Sequence, residues 1–293
     1  MRHRVAWFIL GVLVGSLFLV SAHSSDAKSP CSDSILGSRS SMGFTIQGPL
    51  NWSPRPVLTE IPNKVILQIQ KLNPEIIHNT VHISTIVSRQ EDDVLYSLFV
   101  SKNNGNRVWY VEWNRNSSRI LRIGVIQFKL VENTTHRETK YLGQVLGNKM
   151  KVVKTFHEEK LRAVSPESLG SIYIVTAWES FEWYLQNPIT GKESLTAKTV
   201  AKGRFYIDYG NRILGINDMS YDWRDTGVTQ CSFNHNTEGV GTISGTVYVD
   251  AKYLIPTIPL GIHFDSHPRV YVDAWTHVSG NAWGNKSVGR PWC

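Results

Sequence analysis

Residues 93–131 read DVLYSLFV, SKNNGN, RVWYVEW, NRNSS and RILRIGVIQFKLV, three apolar runs parted by two short polar breaks. Val94, Tyr96, Leu98 and Val100 alternate along the first run, and Trp109, Val111 and Trp113 along the second. A period of two marks strands, because successive side chains on a strand point to opposite faces. Asn104-Gly105 tolerates the positive φ of a tight reversal, so the first break reads as a strand-to-strand turn. The third run is apolar on both faces from Ile120 to Ile126, and then one-sided, with Ile126, Phe128 and Leu130 opposite Gln127 and Lys129. The reading is a β-meander whose last strand starts between two layers and emerges at an edge.

The same rhythm recurs on either side. Val65, Leu67 and Ile69 alternate before Asn73-Pro74, and Ile77, Val81, Ile83 and Val87 alternate after it. Weaker strands are expected at 141–145 and 152–156. A strong one follows at 172–185, with Tyr173, Val175, Ala177, Phe181, Trp183 and Leu185 on one side and Glu179 as the exception. At 199–209, Ala201, Phe205, Ile207 and Tyr209 oppose Lys198, Lys202 and Arg204, which suits a sheet with one wet side. Residues 209–224 read as a loop region, and 242–253 with 269–278 as a last strand pair. HEEKLRAV, stopped by Ser165-Pro166, is too short for a stable helix alone and reads as a helical connector near 157–166. About ten to twelve short antiparallel strands must stack or close to protect their edges, so the expected class is all-β, an antiparallel sandwich or incomplete barrel.

Compartment is the next thing legible. Arg2 and Arg4 precede an uncharged apolar run, residues 5–20, and then Val-Ser-Ala, the grammar of a secretory signal over 1–22. The competing reading, a membrane anchor, needs roughly 20 apolar residues and the run falls short. Ser/Pro-rich residues 23–62 then form an arm, with one short strand near 44–47, and 63–293 form the β-rich domain, whose two lobes would divide near 157–170. Net charge is +7, dispersed with no long basic run, which gives no footprint for nucleic acid. Three cysteines are too few for a disulfide scaffold, so a core must carry stability. Cys231 with Cys293 is the preferred pair, leaving Cys31 to bridge two chains or to exchange with either. Four Asn-x-Ser/Thr triplets start at Asn51, Asn116, Asn133 and Asn285; Asn116 falls at an expected turn and Asn133 at an expected strand end, while Pro54 weakens Asn51.

Chemistry is harder to find. Gly261-Ile-His-Phe-Asp-Ser-His-Pro-Arg resembles, over fewer than ten residues, the Asp-Ala-His-x-Asp manganese motif of arginase-like hydrolases. Pro268-Arg269 stands where that motif has x-Asp, and the family's other acidic strings are absent. His263, Asp265 and His267 could approach one ion from alternate positions of an extended chain, with Asp273 or His277 added; otherwise they are a polar loop. Gly241-Thr-Ile-Ser-Gly lacks the spacing of a nucleophile elbow. Glu158-Glu159 and Asp92-Asp93 are adjacent, so on a strand they diverge and cannot share a proton. No cofactor is implied.

Aromatics and one apolar connector remain. Trp109, Trp113 and Trp183 lie on apolar faces and read as core, whereas Trp178 and Trp275, with Tyr271 and His277, fall on polar sides and could stack on sugar rings or meet a partner. The connector Leu254-Ile-Pro-Thr-Ile-Pro-Leu-Gly-Ile is uncharged, with Leu254, Ile255, Ile258, Leu260 and Ile262. Leaving all five exposed would forgo roughly 7 to 15 kcal/mol, so its own core, a partner or lipid must cover them.

These features together lead to a secreted, non-enzymatic β-rich glycoprotein that binds an extracellular partner or an apolar ligand, lipid or carbohydrate. One alternative is a membrane-acting pore former that inserts a hairpin from 242–247 or 194–202. The other is a secreted hydrolase using the His263/Asp265/His267 cluster.

Overall fold

In the computed structural model, which describes residues 60–293 apart from 89–90, 146, 165–171, 258–259 and 291–292, the chain opens with helix where alternation predicts strand. Helices α1 (Asn63–Leu72) and α2 (Pro74–Asn79) precede the first strand. Val65 and Ile69, four apart, are fully buried, while Leu67 between them is 64% exposed, so the face of a helix decides burial here. Pro62 sits at the N-cap of α1 and Pro74 at the start of α2, where proline's missing N–H costs nothing. The expected signal and most of the expected arm, with Cys31, Asn51 and the strand expected near 44–47, lie outside the described residues. No described helix is long and apolar enough to cross a membrane.

Among the described residues the fold is all-β, with fourteen strands in three antiparallel sheets. The first is a meander of β1 (Thr80–Val87), β2 (Val94–Ser101), β3 (Val108–Asn114) and β4 (Arg119–Ile126). The second holds β5 (Phe128–Val145), β6 (Asn148–Ala163), β7 (Ile172–Gln186) and β8 (Glu193–Asp208) in order. The far edge of β8 is shared by β9 (Arg212–Asp218) and β10 (Tyr221–Arg224), two strands in the stretch expected to be loop. The third is β11 (Thr229–Glu238), β12 (Ser244–Ile255), β13 (Gly261–Asp273) and β14 (Val278–Gly289).

Three apolar cores separate these layers. Val94, Tyr96, Leu98 and Val100 of β2 meet Leu161, Ile172, Ile174 and Tyr206 of the second sheet, while Leu95 and Phe99 face the helices with Val111 and Trp113. The stretch that opened the reading is therefore buried on both sides. Val175, Ala177, Phe181 and Trp183 of β7 pack with Ala201 and Phe205 against Val247, Tyr253, Phe264 and Val270 of the third sheet. Each core carries a buried aromatic whose polar atom is satisfied, as burial demands. Trp113 Nε1 donates to Ser97 Oγ at 2.9 Å, Tyr206 OH to Gly105 O at 3.2 Å, and Trp183 Nε1 to Ser266 Oγ at 2.8 Å.

Two expectations need correcting. The run 119–131 is not one strand: β4 is a half-exposed edge, and the chain breaks at Gln127 and enters the second sheet as β5. The helical connector near 157–166 is strand up to Ala163, the second half of β6. Glu-Glu-Lys-Leu-Arg favours helix locally, but β6 is paired on both sides, by β5 and β7, and tertiary pairing overrides propensity. Since β6 and β7 are neighbours in one sheet, 164–171 joins strands of a single layer.

Charged side chains follow from that swap of helix for strand. Lys160 Nζ reaches Glu132 at 2.8 Å and Glu158 at 3.4 Å. Burial pushes the Glu158 carboxyl above its ordinary 4.5 against the pull of Lys160, whereas the hydrogen bond from Lys160 lowers Glu132. A raised carboxyl loses stability as pH climbs through 4.5 towards its folded value, and a lowered one loses it as pH falls below 4.5. Glu158→Gln should therefore hold or raise the unfolding temperature at pH 7, and Glu132→Gln should lower it. Thermal melts at pH 4 and pH 7 check this; a Glu158→Gln protein less stable at pH 7 than the parent would contradict it.

Candidate functional site

The even positions of β7 point away from the third sheet. Because β6, β8 and β5 hold register, their partners can be read off in rows. Tyr184 lies beside Lys151 and Tyr141; Glu182 lies between Lys198 and Val153, with Trp223 beyond Lys198. Ser180 lies between Val200 and Thr155, with Tyr221 and Arg137 outside; Trp178 lies between Lys202 and His157, with Thr135 outside. The apolar cores contain none of the even positions from Thr176 to Tyr184. The floor, Val153, Ser180 and Val200, is buried, and the rim is open, with Tyr141 64%, Tyr221 47% and Trp223 45% exposed.

One end of this face is closed by the turn after β2. A Cβ on Gly105 would fall 1.9 Å from the Arg204 guanidinium, and Tyr206 OH bonds the Gly105 carbonyl. Close approach, not positive φ, is why glycine stands there. Arg204 Nε in turn donates to Thr176 Oγ1 at 3.2 Å.

The side chains within the face are held by one another. The Trp178 indole is stacked on the His157 ring, centroids 5.5 Å apart, with Lys198 Nζ 6.0 Å from the indole centroid. Lys198 Nζ lies 2.7 Å from Glu182 Oε1, and Tyr184 OH donates to Glu182 Oε2 at 2.8 Å. Burial and that bond push the Tyr184 phenol up to about 12, so it remains a donor at neutral pH. Lys151 Nζ sits 5.0 Å over the Tyr184 ring and pairs with Glu193. His157 Nδ1 is 2.8 Å from Thr135 Oγ1. Glu182, taken up by Lys198, Tyr184 and Ser180, acts as a brace for the face.

Of the residues singled out in the sequence, Trp178 stands at the centre of this face. Tyr271 is elsewhere, on the outward side of the third sheet. Trp275 and His277 are not on its strand: residues 274–277 form a turn braced by Asp273, whose carboxylate accepts from Trp275 N at 2.8 Å and meets His277 Nδ1 at 3.0 Å. The row Tyr271/Trp275/His277 therefore does not exist. Leu254 and Ile262 are buried, Ile255 is half-buried, Leu260 is 44% exposed and Ile258 lies outside the described residues. The described ends of the connector are thus the end of β12 and the start of β13, where Ile255 and Ile262 pack on the core between the second and third sheets.

His263, Asp265 and His267 share one face of β13, strand and not loop, but they do not converge. His263 Nε2 bonds Arg290 O at 3.1 Å and His267 Nδ1 meets Asp250 Oδ1 at 2.6 Å. Each imidazole is thus engaged by a partner of its own. Among the described residues no three His, Cys, Asp or Glu side chains are placed to hold a metal. Of the stretches considered for membrane insertion, 194–202 lies within β8 and 244–247 within β12, interior strands each paired on two sides, while 242–243 precede β12. Asn116 is exposed in the β3–β4 turn, Asn285 on β14, and Asn133 in mid-β5, not at a strand end. Cys231 and Cys293 form a disulfide.

Tyr221, Trp223, His157 and Tyr184 escaped the sequence reading. Tyr221-x-Trp223 has strand alternation, but in a stretch of Gly, Asn and Asp it was too short to stand out, and His157 fell in the supposed helix. Comparison with protein-family models, curated proteins and solved structures finds no match.

Proposed function

We propose that this chain is an exported, non-enzymatic binding protein whose second sheet takes acidic carbohydrate on the face centred on Trp178. What carries the reading is the register that gathers Trp178, Tyr184, Tyr221 and Trp223 among Arg137, Lys151, Lys198, Lys202 and Arg204. Aromatic rings offer flat apolar surfaces to the C–H faces of sugar rings, and the five cations outnumber the three acids on the same side, Glu159, Glu182 and Glu193. A network already braced by Glu182 loses little rotamer freedom when it binds.

The test is titration with uronic-acid or sulfated polysaccharides, against neutral ones of the same length. Trp178→Ala with Trp223→Ala should weaken acidic-polysaccharide binding about tenfold or more, two stacking contacts at roughly 0.5–1.5 kcal/mol each. Raising salt should weaken it further, since exposed charges are screened beyond about 10 Å at 0.1 M. The half-exposed positions predict an unchanged melting temperature for the variant. Equal affinity for neutral chains would remove the acidic part of the reading, and no binding, or binding indifferent to both substitutions, would remove the whole.

A further inference from the structure

The outward side of the third sheet holds a second ordered arrangement, independent of the Trp178 face. Across it, register sets Asn234, Asp250, His267 and Trp283 in one row, flanked by the row Asn236, Tyr248, Arg269 and Asn281 and by the row Ser232, Lys252, Asp265 and Asn285. The Trp283 indole lies on the His267 ring, centroids 3.7 Å apart and planes 21° from parallel. His267 is anchored by Asp250 at 2.6 Å. The indole is thus fixed from below and still 36% exposed.

Asn285 begins one of the Asn-x-Ser triplets, and on β14 it stands two residues beyond Trp283, on the same side of the strand. Asn285 and Ser287 are exposed, whereas Lys286 turns the other way and donates to Leu142 O at 3.3 Å. Neither other described triplet has this arrangement: Asn114 precedes Asn116 by two and Val131 precedes Asn133 by two.

We propose that Asn285 carries an N-linked glycan whose first sugar packs on the Trp283–His267 platform. The platform is then an internal seat for the chain's own modification, not a docking site for another molecule. In the modification the Asn285 side-chain amide nitrogen attacks the anomeric carbon of an oligosaccharide carried on a lipid diphosphate. The nitrogen–carbon bond forms, the carbon–oxygen bond to the diphosphate breaks, and the displaced proton leaves with the lipid diphosphate. The rise between same-side residues, roughly 6.5 Å, is about the reach of an asparagine-linked sugar ring laid along the strand. An apolar sugar face against a pre-anchored indole gains contact without ordering the ring first.

This rests on the export reading, and the experiment separates the two. The full chain is produced in a eukaryotic secretory host, and the Asn285 peptide is weighed by mass spectrometry. A chain that never reaches the medium overturns both readings; a secreted chain with bare Asn285 overturns this one alone. With Asn285 occupied and trimmed to one sugar, Ser287→Ala, which removes the triplet, should lower the melting temperature by about 2 °C when Trp283 is present and not at all beside Trp283→Leu. The protons of the retained sugar should show an upfield ring-current shift that vanishes in Trp283→Leu, a readout that does not depend on stability. Loss of the triplet at Asn116 or Asn133 should show no dependence on Trp283. Equal temperature shifts in both backgrounds, or an unshifted sugar, would overturn the proposal.

Discussion

Trp183→Ala should cost this protein a large share of its stability, roughly 4 to 8 kcal/mol. Trp183 is 1% exposed in the core between the second and third sheets, its ring centroid 5.2 Å from Phe181 and 4.8 Å from Phe264. Removing so large a buried ring costs about 3–5 kcal/mol through lost transfer and the cavity left behind. A second loss follows, because Trp183 Nε1 is the donor to Ser266 Oγ and Ser266 is fully buried. An orphaned buried hydroxyl costs about 1–3 kcal/mol, against a total of about 5–15 for a typical domain. Trp183→Phe separates the two terms, keeping an aromatic while discarding the donor, and should cost about 1–3 kcal/mol. Urea unfolding monitored by circular dichroism measures both, with the midpoint falling at constant slope. A Trp183→Ala protein within 1.5 kcal/mol of the parent, by the same scale, would mean the two sheets are not locked at this point.

Legibility in the sequence tracked how far each residue's fate was local. Phe181 and Trp183 could be assigned to a core because period-two alternation over 172–185 is long enough to outvote a single exception, Glu179, which is itself buried. Pairing Cys231 with Cys293 was likewise a choice among few options. Val65, Leu67 and Ile69 defeated the same rule, since positions 65 and 69 satisfy a helical face as well as a strand, and only Leu67 tells them apart. HEEKLRA failed in the opposite direction, a helix-favouring string conscripted by two neighbouring strands and by Glu132, a residue 28 positions from Lys160. For the site, Trp178 was visible as an aromatic on a polar side. Its companions were not, because Trp223, Lys198, Glu182 and His157 come together only through pairings of β10 with β8, β8 with β7 and β7 with β6. Register between distant strands is a tertiary fact, and a single sequence carries no signal that fixes it.

Breaking the Cys231–Cys293 disulfide should be the next largest effect, about 2–4 kcal/mol, and its reach should extend over the whole third sheet. The two cysteines are 62 residues apart, and the loop they close contains β12, β13 and β14 entire. Treated as loop closure in the unfolded chain, a ring of that length is worth at most about 4 kcal/mol. Native geometry adds a second reason. Cys231 sits where β11 shifts register between Gln230 and Ser232, and β11 and β14 are the two edges of the sheet. Arg290, the residue after β14, lies beside β13 with its carbonyl 3.1 Å from His263 Nε2, and Cys293 is bonded to Cys231 on β11, so the bond belts one edge of the sheet to the chain leaving the other. Edge strands are where a sheet begins to fray, and a covalent belt suppresses that first step. Cys231→Ser with Cys293→Ser should therefore melt about 5–15 °C below the parent. Amide exchange should quicken first in β11 and β14, ahead of β12 and β13. A reductant should bring the parent down to the double variant and leave the variant unmoved. Were the double variant to melt with the parent, or were exchange to quicken first in the second sheet, the belt would be incidental. The lock between these layers would then lie in the core around Trp183 alone.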